Sequence, residues 1–276
     1  MIAPPPIPRR APPYAPFRAG PPRFAPALSP IDPGGWLTPD SEAHVLGWKQ
    51  AMLDVPEITH RAAPGSAAAA GEAAGAVARA AAGALNAGAA DLVSASRLIS
   101  DDLVVMTRDA AHWRCTALSL TAPTFFAIDD VIGRGVAALH GPVPDGDRLS
   151  ARIERVFDGL RPGQRLERYN WTLQAGPERF TPDAAGLRER ARSAHRDAAL
   201  DLLHLRVERQ TLTKLPETGA VLFTIRVCLD PITALSAGDR AGLAASWRAL
   251  GREGRAYKGW AAYERLAEAA FEAWGV

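Results

Sequence analysis

Alternation of apolar and polar positions predicts the sheet of this chain. Leu203, Leu205 and Val207 alternate with His204, Arg206 and Glu208. Val221, Phe223, Ile225, Val227 and Leu229 alternate with Ala220, Leu222, Thr224, Arg226 and Cys228. A period of two places successive side chains on opposite faces of a strand, so strands are predicted over Leu203–Leu212 and Ala220–Leu229. The link between them, Thr213 to Gly219, is short and holds Pro216 and Gly219, which predicts a hairpin. Three further strands are predicted over Leu98–Thr107, Trp113–Leu120 and Arg165–Leu173, the first two joined by a tight turn at Arg108–Ala111.

A period near 3.6 marks the helices. Leu149–Leu160 sets Ile153, Val156, Phe157 and Leu160 on one face. A short helix is predicted from Asp40 to Val55, stopped by Pro56, and an Ala-rich one over Ser66–Ala90, where several glycines cost roughly 1 kcal/mol each. Ile128–Leu139 reads as a helix ended by His140-Gly141-Pro142, and Gly238–Leu250 and Tyr257–Trp274 complete the set. There is no β-α-β succession and no internal repeat. About five strands, mostly hairpin-linked, with helices at both ends define an α+β fold with one antiparallel sheet.

Residues 1–35 hold 12 of the 23 prolines, which fix φ and remove donors, so this stretch cannot be regular helix or central strand. It is either a solvated tail or an extended arm; Tyr14, Phe17, Phe24, Leu28 and Ile31 are the anchors an arm would use. Residues 36–276 then form a single domain, a length one core supports. The net charge of +2 gives no electrostatic case for nucleic acid or acidic membranes, and no apolar run reaches the roughly 20 residues of a membrane span. Pro-rich opening residues without an apolar core do not read as a secretory signal, and Arg9-Arg10 alone is not an export signal, so a cytoplasmic protein is expected. Cys115 and Cys228 are far apart and form no CxxC pair, against a disulfide framework or a protein-built zinc or iron–sulfur site.

The motifs of dinucleotide folds, P-loops, zinc proteases and nucleophile elbows are absent. What stands out is charge inside strands: Arg168-Tyr169-Asn170-Trp171, Arg206-Val207-Glu208-Arg209-Gln210 and Arg226. A partly exposed sheet face with cross-strand ion pairs would account for it. So would a polar pocket in which arginine binds carboxylates and glutamate an amine. His140 closes an apolar helix just before Gly141-Pro142-Val143-Pro144. It reads as a capping residue favoured by the helix dipole or as a ligand; a single imidazole suffices for haem, whose porphyrin supplies the other four nitrogens.

The run Leu205-Arg206-Val207-Glu208-Arg209-Gln210-Thr211-Leu212, followed by Leu215 to Arg226, resembles the signature of the haem-dependent oxidative N-demethylase alpha-subunit family. Tyr14 to Arg18, Trp36-Leu37, Ser100 to Leu103, Ile132-Gly133, Leu139 to Pro144, Arg168 to Trp171 and Tyr257-Lys258-Gly259 fit it in the same order. The resemblance implies a PAS-like fold binding haem b between sheet and helix, with His140 as the metal ligand. It implies O2-dependent removal of a methyl group from a small amine, releasing formaldehyde. Arg168, Asn170, Trp171, Arg206, Arg209 and Lys258 would meet the cofactor, Glu208 would hold the amine, and Arg226 would hydrogen-bond the bound oxygen. Electrons would come from NADPH through a partner reductase or separate redox subunits, because the chain carries no flavin, iron–sulfur or nicotinamide motif of its own. Assembly with further copies of the chain stays open.

Two departures lie just before the histidine motif. Thr121-Ala122-Pro123-Thr124-Phe125-Phe126 stands where the family has a Phe-Pro-Ser-x-Trp-like run, and Val131 where a lysine is common. They leave room for a haem oxidase acting on a different amine or amino acid, or for a non-catalytic haem or gas sensor on the same scaffold. Cys115, Cys228 and Tyr169 are the next candidate ligands should His140 not serve.

Overall fold

A computed structural model describes residues 2–7, 10–82 and 89–276; Arg9 and residues 83–88 of the predicted Ala-rich helix lie outside the described residues. The chain is α+β. Among the described residues its sheet has seven antiparallel strands: β1 (Ser29–Pro30), β2 (His60–Ala62), β3 (Asp102–Arg108), β4 (Trp113–Ser119), β5 (Arg165–Ala175), β6 (Leu203–Lys214) and β7 (Val221–Pro231). Their order is β1-β5-β6-β7-β3-β4-β2. The expected five strands are all present. β1 and β2 are the two not predicted: with two and three residues they are too short to show a period, and each caps an edge of the sheet, where a short strand limits unwanted pairing.

The register of β5, β6 and β7 sorts alternate residues onto two faces. The back face carries Trp171, Leu173, Leu205, Val207 and Cys228, packed beneath the helices Ala237–Ala249 and Glu264–Trp274 through Trp247, Trp260 and Phe271. Trp247 and Trp260 stack at 3.9 Å between ring centroids. Further along the same face, Leu103, Val105 and Leu222 meet the Ala67–Ala82 helix and Trp36. The front face presents Val104, Met106, Leu212, Ile225 and Val227 to Phe157 and Val136, carried by the helices Gly146–Gly159 and Val136–His140. No described helix is long and apolar enough to cross a membrane.

Two helix predictions change at glycines. Ile128–Leu139 splits into a 3-10 turn, Ile128–Asp130, and the short helix Val136–His140, because Gly133 (φ 74°) reverses the chain between them. Tyr257–Trp274 divides at Gly259 (φ 65°) into the end of Arg252–Lys258 and the separate helix Glu264–Trp274. The strand expected from Leu98 starts at Asp102, behind a short helix, Leu92–Ser96, that Asp91 caps. A helix at Ala185–Ser193 was not predicted; its Gly-Leu-Arg-Glu-Arg run offers little apolar periodicity.

From Arg10 the Pro-rich stretch lies against the domain. Phe17 is buried edge-on to Trp171, and Arg18 grips both oxygens of Asp239 at 2.6 and 2.9 Å. The Trp36 indole donates to Thr211 Oγ1 at 2.9 Å.

Candidate functional site

On the front face, alternate residues of each strand line a cavity of about 670 Å³. β5 contributes Arg168, Asn170 and Thr172, β6 Glu208, Gln210 and Leu212, β7 Phe223 and Ile225, and β3 Val104 and Met106. The opposite wall is the two helices around His140, and Phe24 and Leu28 of the N-terminal stretch close one side. The cavity is therefore apolar between sheet and helices, and polar where β5 and β6 run past Lys258.

His140 lines the helical wall. Its Nδ1 lies 2.8 Å from the Val136 carbonyl oxygen. A carbonyl only accepts, so Nδ1 carries the proton of the neutral ring and Nε2 keeps an unshared pair. Burial lowers the imidazole pKa below its ordinary value; the Val136 bond opposes that shift and the Arg168 charge adds to it. The backbone after the ring is tightly folded: a Cβ on Gly146 would stand 2.3 Å from the His140 carbonyl oxygen, so only glycine permits this approach.

At the polar end, Asn170 faces Glu208 and Arg168 faces Gln210 across the β5–β6 ladder. Glu208 Oε2 accepts from Asn170 Nδ2 at 3.3 Å and from Gln210 Nε2 at 2.6 Å. Lys258 Nζ donates to Asn170 Oδ1 at 2.9 Å and to the Trp171 carbonyl at 3.2 Å. Burial pulls its pKa down to about 8, with Glu208 opposing the shift and Arg168 reinforcing it. Burial also lowers the Arg168 pKa. The Nε atoms of Arg168 and Arg188 are buried in this lining without a hydrogen-bond partner.

His140, Arg168, Asn170, Glu208 and Lys258 thus share one cavity, and four other residues expected there do not reach it. Arg206 belongs to the front face, but its guanidinium donates to the carbonyls of Ala122 at 2.8 Å and Arg179 at 3.2 Å and to Thr124 Oγ1 at 2.9 Å. With Asp102, which accepts from the amides of Thr121 and Ala122 at 2.8 Å, it shapes the loop that departs from the family run. In that loop Phe125 adopts a left-handed backbone (φ 65°) and lines the cavity.

Trp171, Arg209 and Arg226 lie away from the cavity: the register puts them on the back face with Val207 and Cys228. Trp171 packs on Trp260 and Phe17. Arg209 pairs with Glu167 at 2.8 Å and donates to the carbonyls of Trp36 and Gly35. Arg226 pairs with Asp101 at 2.7 Å and donates to the carbonyls of Leu37 and Pro39. Burial works against its charge, yet Asp101 and Asp40 hold its pKa above the ordinary arginine value. Arg188 is the site residue that sequence reasoning missed, because it sits on the unpredicted Ala185–Ser193 helix.

Neither cysteine lines the cavity; both thiols are buried, and burial pushes Cys115 up to about 12. Tyr169 lies on the back face against Tyr14. No cluster of three or more His, Cys, Asp or Glu able to hold a metal occurs among the described residues, whereas haem needs only one axial imidazole. The lining fits such a group on three counts: an imidazole with one nitrogen held and the other unshared, apolar walls between sheet and helix, and unpartnered guanidinium nitrogens to meet carboxylates.

The protein is thus an α+β protein with a cavity of mixed polarity between its sheet and its helical cover. A family model described as haem-dependent oxidative N-demethylase, alpha subunit-like, matches residues 71–267. The chain belongs to that family.

Proposed function

We propose that this chain is a haem-dependent monooxygenase that removes an N-methyl group from a small amine, with His140 as the residue that would hold the haem iron. The observation that carries the reading is the His140–Val136 bond. It fixes the tautomer and leaves Nε2 as a donor at the wall of a cavity large enough for a prosthetic group, the arrangement by which proteins orient ligating imidazoles. Haem b, when bound, would supply the activation of O2. One oxygen atom enters a methyl C–H bond and the other leaves as water, using two protons and two electrons. The electrons would come from NADPH through a partner reductase or a companion subunit, in keeping with the alpha-subunit description of the family. The resulting carbinolamine collapses to formaldehyde and the demethylated amine.

The protein's part is binding, orientation and exclusion of water. Arg168, Arg188 and Lys258 meet carboxylates, Asn170 and Gln210 hold Glu208 in place, and Glu208 takes the amine. Val104, Met106, Phe157, Leu212 and Ile225 keep the reacting face dry. Residues 1–35 act as an arm whose Phe24 and Leu28 complete the enclosure. The five long strands, in the order β4-β3-β7-β6-β5 with a helix crossing one face, support the PAS-like description. The Thr121–Phe126 loop favours a second reading, the same haem chemistry on a different amine or amino acid, since Phe125 reaches the lining.

The test is the visible spectrum of the purified protein beside His140→Ala. A Soret band in the wild type that is lost or shifted in the variant is expected, together with formaldehyde release from N-methyl substrates when reductant and O2 are present. An unchanged spectrum in His140→Ala would remove the axial assignment.

A further inference from the structure

The polar end of the cavity holds more positive charge than haem would neutralise. Five basic side chains line the cavity; Arg23 and Arg134 are exposed to solvent, whereas Arg168, Arg188 and Lys258 are half-buried, and none of these three is paired with a carboxylate among the described residues. Of the acidic residues in the lining, Asp102 is committed to Thr121, Ala122 and Lys49 and Asp130 to the Ala127 amide. Asp130 is exposed and accepts that bond at Oδ2 only; Glu208 is the one of the three that is buried and still keeps a free oxygen. A haem carries two propionates, so two cations are accounted for and the third is not.

Geometry singles out Lys258 as the third. Its ammonium and the Glu208 carboxylate sit on either side of one amide group, that of Asn170, whose Oδ1 accepts from Lys258 at 2.9 Å and whose Nδ2 donates to Glu208 at 3.3 Å. Both ends have a valence left. Lys258 has three N–H donors and uses two, on Asn170 and the Trp171 carbonyl. Glu208 accepts both its amide bonds at Oε2, and Oε1 accepts none. A carboxylate and a neighbouring ammonium spaced by one amide match a molecule that carries the opposite charges one or two carbons apart.

We propose that the substrate is an N-methylated amino acid, its ammonium taken by Glu208 Oε1 and its carboxylate by the third N–H of Lys258, an inference that rests on the demethylase reading of the same cavity. Arg168 and Arg188 remain for the propionates. A simple alkylamine fills the Glu208 position but leaves the Lys258 charge desolvated and unanswered, which disfavours it.

The test is calorimetric binding to the haem-loaded protein without reductant, using an N-methyl α-amino acid, its carboxamide and a simple N-methylalkylamine. The acid is expected to bind at least about tenfold more tightly than the carboxamide, the difference between a charged and a neutral hydrogen-bond partner. That preference should vanish in Lys258→Met and return in part in Lys258→Arg, with circular dichroism confirming that both variants are folded. Equal or tighter binding of the carboxamide or the alkylamine to the wild type overturns the proposal. Formaldehyde assays on the same compounds separate the two levels. Turnover of alkylamines with the acid ignored defeats the amino-acid assignment and leaves the demethylase reading standing. Lys258-dependent acid binding with no formaldehyde from either class defeats the demethylase reading and the substrate assignment with it.

Discussion

Arg226 shows how a residue's chemistry depends on its face. Its charge is fully buried against Asp101, and its remaining donors bind the carbonyls of Leu37 and Pro39. Replacing it with methionine removes the ion-pair partner of the buried Asp101, so a loss of about 3–5 kcal/mol is expected in denaturant unfolding. The position of the Soret band should not change, because the side chain does not face the cavity. Asp230 presents the opposite case. Both of its oxygens are buried without a hydrogen bond, and burial, with repulsion from Glu42, raises its pKa to about 6. The unfolded chain releases that proton near 3.8, so the folded state holds an extra proton between these values. The cost of burying the ionised carboxylate is therefore full above about pH 6 and fades as pH falls through it. Asp230→Asn is expected to stabilise the protein by about 2–3 kcal/mol at pH 8 and to give no gain at pH 4, read from thermal melts at the two values.

At the level of elements, β6 and β7 were legible because their alternation is regular, and the same alternation already divides Glu208 from Arg209 and assigns Arg226 to the side of Cys228. Reading the charged run as one cluster mixed two faces that the period of two separates. The helix holding Arg188 was not legible, since Arg188, Glu189, Arg190 and Arg192 leave only Leu187 and Ala191 buried. The break at Gly259 was hidden inside an apolar stretch that suits helix on either side. That glycine joins two parts of the site: it ends the helix bearing Lys258, and a Cβ there would lie 2.5 Å from the Arg188 guanidinium. Gly259→Ala is expected to cost about 1–2 kcal/mol for the left-handed backbone. It should also shift Arg188 and speed haem loss, measured by transfer of haem to an acceptor protein. Unaltered haem release would show that Arg188 does not hold the cofactor.

Across the whole molecule, the N-terminal stretch belongs to the core as much as to the surface. Phe17 is buried against Trp171, and Arg209 and Arg226 tie down the chain at Trp36 and Leu37 from behind the sheet, while Phe24 and Leu28 reach the cavity in front. Phe17→Ala should cost about 3–5 kcal/mol and expose the first 30 or so residues to limited proteolysis at protease levels the wild type withstands. Proline content alone could not separate an arm from a tail; the partners that hold it are more than a hundred residues away in sequence. The division of labour along the middle of β5 and β6 carries a last consequence. Odd positions such as Trp171, Val207 and Arg209 are committed to architecture, and even ones such as Arg168, Asn170, Glu208 and Gln210 line the cavity. A combinatorial library restricted to those four even positions would explore new specificities while the scaffold's own fastenings stay untouched, which makes this sheet a reprogrammable surface hidden inside a stable protein.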